Sequence, residues 1–148
     1  MGVTVVRPEA GHRAKWEQLY AGYAEFYKTP QTPEMRARVW SWIHDPEHQV
    51  ECLLALNEAG EPVGLAHFRE FARPLAASAG GYLDDLFVEP TERDSGAARA
   101  LITALGEVAR ERGWTVVRWI TADDNYRART LYDKLAKRTP WLTYDLVP

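Results

Sequence analysis

The stretch Tyr82–Ala98 constrains the fold most, because a strand-like run there ends in a turn of small residues that opens a long helix. Little side-chain bulk covers the first helical turn, so its unpaired N–H groups can approach an anion, which the helix dipole also favours. The residues of this turn are Arg93, Asp94, Ser95, Gly96, Ala97 and Ala98. The pattern predicts a phosphate-binding turn. The alternative is that Gly96 and Ala98 only allow close helix packing and that Arg93 is a solvated surface charge.

Length and charge narrow the class of protein. At 148 residues the chain is expected to form one domain, 1–148, with one core. A formal charge of −3 is the opposite of the strongly basic surface that nucleic acid selects, so no nucleic acid partner is expected. A small basic or neutral substrate fits this charge better.

Cysteine and histidine usage argues against disulfides and metal sites. Cys52 is the only cysteine, so no disulfide can form within the chain, and a reducing compartment, the cytoplasm, is expected. The four histidines lack metal-ligand spacing, and no metal is expected. No run reaches the roughly eighteen apolar residues of a membrane span, so no membrane partner is expected either.

Hydrophobic periodicity predicts the element order β-α-α-β-β-β-α-β-α-β, and Thr32-Pro33 is interpreted as the cap and first turn of the second helix. A turn-rich segment, 57–62, lies between two strand patterns and indicates an antiparallel hairpin, whereas Phe71–Gly81 is interpreted as a loop because of Pro74 and Gly80-Gly81. The predicted strands are Val3–Val6, Glu51–Leu56, Val63–Glu70, Tyr82–Val88, Val116–Thr121 and Trp141–Val147, and the last two predicted helices are Ser95–Arg112 and Asn125–Lys137. Three meandering strands followed by crossovers imply an α/β fold with a mixed, mostly antiparallel sheet and helices on both faces.

Two motifs resemble the signatures of one enzyme family. The spacing Arg93-x-x-Gly96-x-Ala98 resembles the acetyl-CoA pyrophosphate loop of GCN5-related N-acetyltransferases (GNAT). The run Asn125-x-x-Ala128-x-x-Leu131-Tyr132 resembles the family's second signature, and the strand from Tyr82 looks most like polyamine and related small-amine acetyltransferases. The resemblance implies the GNAT acyltransferase fold, acetyl-CoA as co-substrate and, because members are commonly dimers, a homodimer.

The resemblance also implies roles along these motifs. Phe87 and Val88 would offer backbone groups to the pantetheine arm, residues 93–98 would hold the pyrophosphate, and Asn125 with Ala128 would seat the cofactor. Tyr132 would protonate the departing thiolate as a general acid. Asp94-Ser95 stands where the family often has Gly-Lys or Gly-Arg, which removes a basic group but no N–H donor.

Two adjacent acids, Asp84 and Asp85, lie in the middle of an apolar strand pattern, where regular alternation would point them to opposite faces. One of them should face the cleft, as an anchor for a cationic amine or as a base acting through water. The alternative is a structural carboxylate. His67, on the preceding strand, is a minor base candidate. A two-step route through an acetylated Cys52 is disfavoured, because the sequence shows no nearby group that would stabilise its thiolate.

The first predicted helix has an aromatic face that is expected to be mostly core. Its tyrosines have polar tips, and we expect Tyr20, Tyr23 and Tyr27, with Glu25, to line a pocket for an amine.

The sequence therefore predicts an N-acetyltransferase that moves an acetyl group from acetyl-CoA to a primary amine of a small molecule, such as a polyamine, a diamine or an amino-acid-like compound, by direct attack in a ternary complex. A protein lysine or N-terminal acetyltransferase, a non-catalytic acyl-CoA-binding regulatory domain and an unrelated doubly wound phosphate-binding domain are the alternatives.

Overall fold

A five-stranded sheet in the order β1-β2-β3-β4-β5 forms the centre of the protein. The computed structural model describes residues 2–148. The first four strands pair antiparallel, and β5 pairs parallel to β4. The strands are β1 (Thr4–Val6), β2 (Glu51–Leu56), β3 (Pro62–Arg73), β4 (Ser78–Val88) and β5 (Val117–Arg118). The predicted fold class, a mixed and mostly antiparallel sheet with helices, is confirmed.

Helices cover both faces of this sheet. They are α1 (Arg13–Phe26), α2 (Pro33–Ile43), α3 (Ala97–Arg112) and α4 (Tyr126–Leu135). Helix α3 packs its buried Leu101 and Leu105 on one face, whereas α1 packs Trp16 and Leu19 on the other, with α2 beside it. None of the helices described in residues 2–148 combines the length and apolar character needed to cross a bilayer.

The start of α2 follows from local chemistry. The Thr32 hydroxyl accepts a hydrogen bond from the Met35 backbone N–H at 3.2 Å, which satisfies one of the free donors of the first turn. Pro33 occupies the first helical position, where its missing N–H costs nothing. The helix therefore begins where the sequence predicts.

The interpretation of Phe71–Gly81 as a loop is wrong, because β3 and β4 continue through most of it as a long hairpin closed by a short turn at Pro74–Ala76. Gly80 and Gly81 are not turn residues; they leave room for neighbouring side chains. A Cβ atom on Gly81 would lie 2.5 Å from the indole of Trp114, which is buried across β4, and one on Gly80 would lie 2.9 Å from Phe71.

The predicted last strand, Trp141–Val147, is also wrong for this chain taken alone. No strand follows β5 in residues 2–148, and every residue of 136–148 is exposed. The predicted strand Val116–Thr121 shortens to Val117–Arg118, because β5 leaves β4 after two paired residues. Helix α3 begins at Ala97, two residues later than predicted.

Replacing Gly81 with alanine should destabilise the protein by about 1 to 3 kcal/mol, because the added methyl group overlaps the Trp114 indole. The matched control is Gly106→Ala in the middle of α3, where a Cβ atom meets nothing within 4 Å. That change should stabilise the protein by about 0.5 to 1 kcal/mol. Urea unfolding of both variants measures the difference, and equal stabilities would contradict the packing described.

Candidate active site

Strands β4 and β5 diverge and leave half of one strand edge unpaired. They are hydrogen-bonded only around Gly81–Val117 and Tyr82–Arg118. From Leu83 to Val88, β4 is paired with β3 alone, so along this stretch no strand of residues 2–148 covers its second edge. Backbone N–H and C=O groups on that edge are therefore available to an extended ligand.

The turn after β4 ends at the beginning of α3 in a left-handed glycine. Gly96 has φ +86°, a conformation that L side chains rarely adopt, and it caps α3 without a side chain. The Ser95 hydroxyl accepts a hydrogen bond from the Ala97 N–H at 3.3 Å. A Cβ atom at position 96 would contact nothing, so the space before the helix is open. The predicted small-residue cradle is therefore present at the end of the free edge of β4.

The charged side chains of this turn point in different directions. The guanidinium of Arg93 lies over the ring of Phe26 at 5.9 Å, close to α1. The carboxylate of Asp94, which is fully exposed, pairs with Arg127 of α4 at 3.2 Å. The exposed pair contributes little stability, but it links the turn to the helix that carries Tyr132.

A β-bulge separates the two acids of β4. The pairing with β3 runs from His67–Asp85 directly to Phe68–Leu83, so Asp84 is the extra residue. Regular alternation would place Asp85 on the same face as Leu83, which packs in the α3 core. The bulge instead turns Asp85 toward α1 and leaves Asp84 exposed, paired with Arg69 at 3.0 Å.

Asp85 is the centre of a partly buried hydrogen-bond network. Its Oδ2 atom accepts from the Nδ1 of His67 at 2.8 Å and from the Tyr20 hydroxyl at 3.0 Å. The indole Nε1–H of Trp16 donates to Nε2 of His67 at 3.0 Å. Because Nε2 accepts this bond, the imidazole proton lies on Nδ1 and is donated to Asp85.

This geometry makes His67 a positioning residue and disfavours its predicted role as a minor base. The side chain is 1% exposed, and both ring nitrogens are engaged within the protein. A proton from a substrate could reach neither nitrogen without breaking one of these bonds. The imidazole instead fixes the orientation of the Asp85 carboxylate.

The two acids differ in electrostatics. Burial by itself would raise the pKa of Asp85, but the contacts with His67 and the hydrogen bond from the Tyr20 hydroxyl outweigh it and hold this pKa below its usual value. Burial raises the pKa of Asp84, which Arg69 only partly offsets. Asp85 is therefore a stable anion at neutral pH, below a layer of aromatic side chains.

Two of the predicted acceptor-site residues belong to this aromatic layer. The Tyr23 ring lies 4.9 Å from that of Tyr27 and 6.0 Å from that of Phe87, and its hydroxyl lies 3.5 Å from the Asp84 carbonyl oxygen. Burial, and then the charge of Asp85, raise the pKa of Tyr23 and of Tyr27, so both hydroxyls keep their protons.

Glu25 does not join the two tyrosines. It is exposed on another side of α1, where it lines a cleft of about 370 Å³ together with Arg93, Phe26 and Phe87.

Tyr132 lies where α4 approaches both β5 and α1. Its half-buried ring meets the edge of Trp119, just after β5, at 5.4 Å. Burial and the neighbouring Tyr27 raise the pKa of Tyr132 to about 12. The structure gives its hydroxyl no hydrogen-bond partner within residues 2–148. The hydroxyl is therefore available to a ligand or to solvent.

Asn125 caps the helix that carries Tyr132. Its side-chain oxygen accepts from the Ala128 N–H at 3.4 Å, and its amide donates to the Thr121 hydroxyl at 3.4 Å. This is the usual contribution of an asparagine at the start of a helix. Asn125 and Ala128 therefore fix the position of α4.

Cys52 lies close to the network without the properties of a nucleophile. It pairs with His67 across β2 and β3, but the thiol is 2% exposed. Burial raises its pKa well above the ordinary value, so the thiolate is disfavoured.

Sequence reasoning placed Tyr20 with the pocket-lining tyrosines but did not connect it to Asp85, and it gave Trp16 and His67 too small a role. The signal available was the histidine itself, a polar side chain in the apolar run 63–68. A polar group in a buried strand needs a hydrogen-bond partner, and Asp85 on the next strand could supply it.

A strand edge left open beside a glycine-capped helix, with a carboxylate and a tyrosine nearby, is the architecture of an acyl-CoA-dependent transferase. The sequence model of the acetyltransferase (GNAT) family matches residues 16–136. The chain belongs to this family, and it is an acetyl-CoA-dependent N-acetyltransferase.

Individual relatives agree with this assignment. The D-amino-acid N-acetyltransferase HPA3 of Saccharomyces cerevisiae is 32% identical over 87% of this chain and 81% of its own length. An aminoglycoside acetyltransferase from an uncultured soil metagenomic sample is 28% identical, with a TM-score of 0.79, over 100% of this chain and 99% of its own. The ribosomal-protein-alanine N-acetyltransferase of Brucella melitensis biovar Abortus 2308 is 25% identical, with a TM-score of 0.83, over 99% of both chains.

We expect ¹⁵N NMR to find the His67 ring as the neutral tautomer with its proton on Nδ1, because Trp16 donates to the other nitrogen. Trp16→Phe removes that donor and should shift the Nε2 signal of His67, while Trp42→Phe, whose ring stacks on His48 instead, should leave it unchanged. A proton found on Nε2 in the wild type would contradict the network described.

Proposed function

We propose that the enzyme acetylates a primary amine of a small cationic or amino-acid-like molecule, with Asp85 as the anchor of the amine. The observation that carries this proposal is the ionised Asp85 carboxylate, held by His67 and Tyr20 next to Tyr23. A carboxylate beside aromatic rings attracts an ammonium group through charge and through cation–π contact. Neutral or anionic acceptors gain neither contribution.

The open edge of β4 and the Gly96 cradle fit acetyl-CoA. The backbone groups of Phe87 and Val88 would hydrogen-bond the extended pantetheine arm as an added strand, and residues 93–98 would hold the pyrophosphate at the α3 N-terminus. Asn125 and Ala128 would contribute by fixing α4 beside this arm. The open space at position 96 supports this fit, since a phosphate could approach the backbone there.

Direct attack of the amine is energetically sufficient. An alkylamine with a pKa near 10.4 carries its proton at pH 7, and removing this proton costs about 4 to 5 kcal/mol. Holding two reactants in position can supply about 7 to 11 kcal/mol. Asp85 would orient the amine, and the buried Cys52 thiol would take no part.

Tyr132 would act on the leaving group, as a hydrogen-bond donor to the sulfur. With a pKa of about 12 its hydroxyl stays protonated through the neutral range. A thiol has a pKa near 8.5, so complete proton transfer from Tyr132 would be uphill by about 5 kcal/mol. Hydrogen bonding to the developing charge is therefore its main contribution to the predicted general-acid role.

The relatives support a small amine more than a protein substrate, since the D-amino-acid and aminoglycoside enzymes act on small molecules by name. The ribosomal-protein-alanine enzyme favours a second candidate, an N-terminal amine of a protein. Tyr23 and Tyr27, whose rings pack together at the end of α1 near Asp85, support the first candidate, because aromatic rings beside a carboxylate suit a small ammonium group. Tyr132, with its free hydroxyl, argues against a non-catalytic domain.

Asp85→Asn should raise the KM for the amine about 10- to 100-fold, the loss expected for a charge-assisted hydrogen bond of about 1.5 to 3 kcal/mol. The KM for acetyl-CoA should barely change. Asp84→Asn is the matched control, because this neighbouring carboxylate is exposed and paired with Arg69. Initial rates with polyamines, diamines, amino acids and neutral aryl amines, on variants whose folding is checked by circular dichroism, measure the effect.

Two outcomes would overturn the anchor role of Asp85. One is a preference of the wild type for neutral or anionic acceptors. The other is an Asp85→Asn variant, folded like the wild type, that keeps its amine KM.

Tyr132→Phe should lower kcat about 10²-fold and leave the KM for acetyl-CoA nearly unchanged, because only the donor to the leaving sulfur is lost. The loss should be independent of pH through the neutral range, since the pKa of Tyr132 is about 12. Tyr126→Phe on the exposed side of the same helix is the control. A single-turnover rate of acetyl transfer equal to that of the wild type would show that Tyr132 is structural.

A further inference from the structure

One face of the β3–β4 hairpin carries arginine and aromatic side chains next to Asp85. Alternation along β3 places Arg69 and Phe71 on the same side as His67, which is the side of the sheet that α1 covers. Tyr82 pairs with Arg69 across the hairpin, and its ring lies 6.2 Å from that of Phe71. The face of the sheet that holds Asp85 therefore continues beyond α1 onto the hairpin.

Arg118 reaches this face from β5. It pairs with Tyr82 in the parallel ladder, so both side chains leave the sheet on the same side. Its guanidinium lies over the ring of Phe71 at 5.4 Å, which requires the side chain to cross β4. Gly80, the β4 partner of Phe71, has no side chain to block this path. The charge of Arg118 therefore lies above the hairpin, where the residue is exposed.

The two arginines beside Tyr82 differ in how their charge is balanced. Arg69 pairs with Asp84 at 3.0 Å and lies over the ring of Tyr82 at 5.0 Å. Arg118 contacts the ring of Phe71, but no carboxylate of residues 2–148 forms an ion pair with it. A guanidinium that rests on an aromatic ring keeps the planar set of donors that binds a carboxylate through two hydrogen bonds. Arg118 is therefore suited to an anionic group of a ligand.

The spacing between Asp85 and Arg118 selects the length of that ligand. Asp85 pairs with His67, and Phe71, below the Arg118 guanidinium, is four residues further along β3, which is about 13 Å at the rise of a strand. The two charges of an α-amino acid are separated by a single carbon, which is too short for this distance. The side-chain nitrogen of an extended lysine lies about 7 Å from its carboxylate. A hydrogen bond of about 3 Å at each end completes the span.

We infer that the acceptor is a diamino acid that is acetylated on its side-chain amine, with its carboxylate bound by Arg118. This inference rests on the proposed function, in which Asp85 anchors the reacting amine. The aliphatic part of the substrate would lie along the ring of Tyr82, between the two charges. The side-chain nitrogen would form the amide bond as the C–S bond of the thioester breaks, CoA would leave as the thiol, and one proton of the ammonium group would pass to solvent. Arg118 would thus determine specificity without contacting the reacting atoms.

Lysine and lysinamide, in which a neutral amide replaces the carboxylate, test the role of Arg118. The wild type should have a kcat/KM about 10- to 100-fold higher for lysine, the range expected for a charge-assisted contact. Arg118→Met should lose this preference and keep the wild-type kcat/KM for lysinamide. Arg110→Met, at an exposed position near the end of α3, removes the same charge elsewhere and should keep the preference. Circular dichroism checks the folding of each variant.

The product gives a second measurement. NMR of acetylated lysine should locate the acetyl group on the side-chain nitrogen, and an acetyl group on the α-nitrogen would overturn the inference. Equal kcat/KM values of the wild type for lysine and lysinamide would overturn it too. Arg73 is the next arginine on this face, and its guanidinium donates to the Thr115 hydroxyl. If Arg73→Met loses the preference as completely as Arg118→Met, the assignment of the carboxylate to Arg118 is wrong.

Asp85→Asn separates this inference from the proposed function. If the variant raises the KM for lysine, lysinamide and cadaverine alike, the amine anchor stands, and the ratio of lysine to lysinamide decides the role of Arg118. If all three KM values stay unchanged, the proposed function fails and this inference fails with it. A wild type that acetylates cadaverine but not lysine would overturn this inference alone.

Discussion

A carboxylate that is largely removed from water needs hydrogen-bond donors, and the site depends on how Asp85 meets this requirement. Its partners come from different elements, with His67 on β3 and Tyr20 on α1, while Trp16 fixes the histidine from the same helix. Helix α1 is therefore held on the sheet by polar contacts as well as by its buried apolar side chains. Removing any one partner leaves a buried polar group unsatisfied, so the network acts as one unit.

Strand β4 offers two separate surfaces, which the proposed function assigns to the two substrates. Its free edge, from Leu83 to Val88, presents backbone groups, and the side chain of Asp85 leaves the same strand toward α1. Edge and face of a strand are perpendicular, so two molecules can approach β4 without competing for the same atoms. Tyr132 of α4 lies across the gap, between Trp119 and Tyr27. The direct attack proposed above requires both surfaces to be occupied together.

Local patterns in the sequence predicted what local forces decide. The hairpin from Glu51, the capped start of α2 and the glycine turn before α3 depend on residues close in the chain, and the structure contains all of them. Gly81 was interpreted as part of a loop. The contact that requires a glycine there is with the Trp114 indole, which lies 33 positions away in the sequence and could not be foreseen from local patterns. That the chain is one domain, works in the cytoplasm and needs no metal stays a prediction.

The candidate site was less predictable, since it depends on pairing between strands. The acids of β4 and the tyrosines of α1 were identifiable as polar groups in apolar patterns. Which acid faces α1 was not, because the bulge at Asp84 belongs to the register with β3. The alternating pattern of residues 141–147 was visible in the sequence too. A strand must pair with the edge of a sheet, and within residues 2–148 this segment is not paired.

The bulge at Asp84 has a consequence for how this enzyme can vary. The strand needs one extra residue at position 84, whatever its side chain. This extra residue reverses the alternation, so that Leu83 lies in the α3 core and Asp85 lies beside α1. Deleting it would restore the regular register and turn either a leucine toward α1 or a carboxylate into the apolar core. Substitutions at this position keep the extra residue and therefore the bulge. The strand should therefore tolerate many side chains at position 84 and no change in its length.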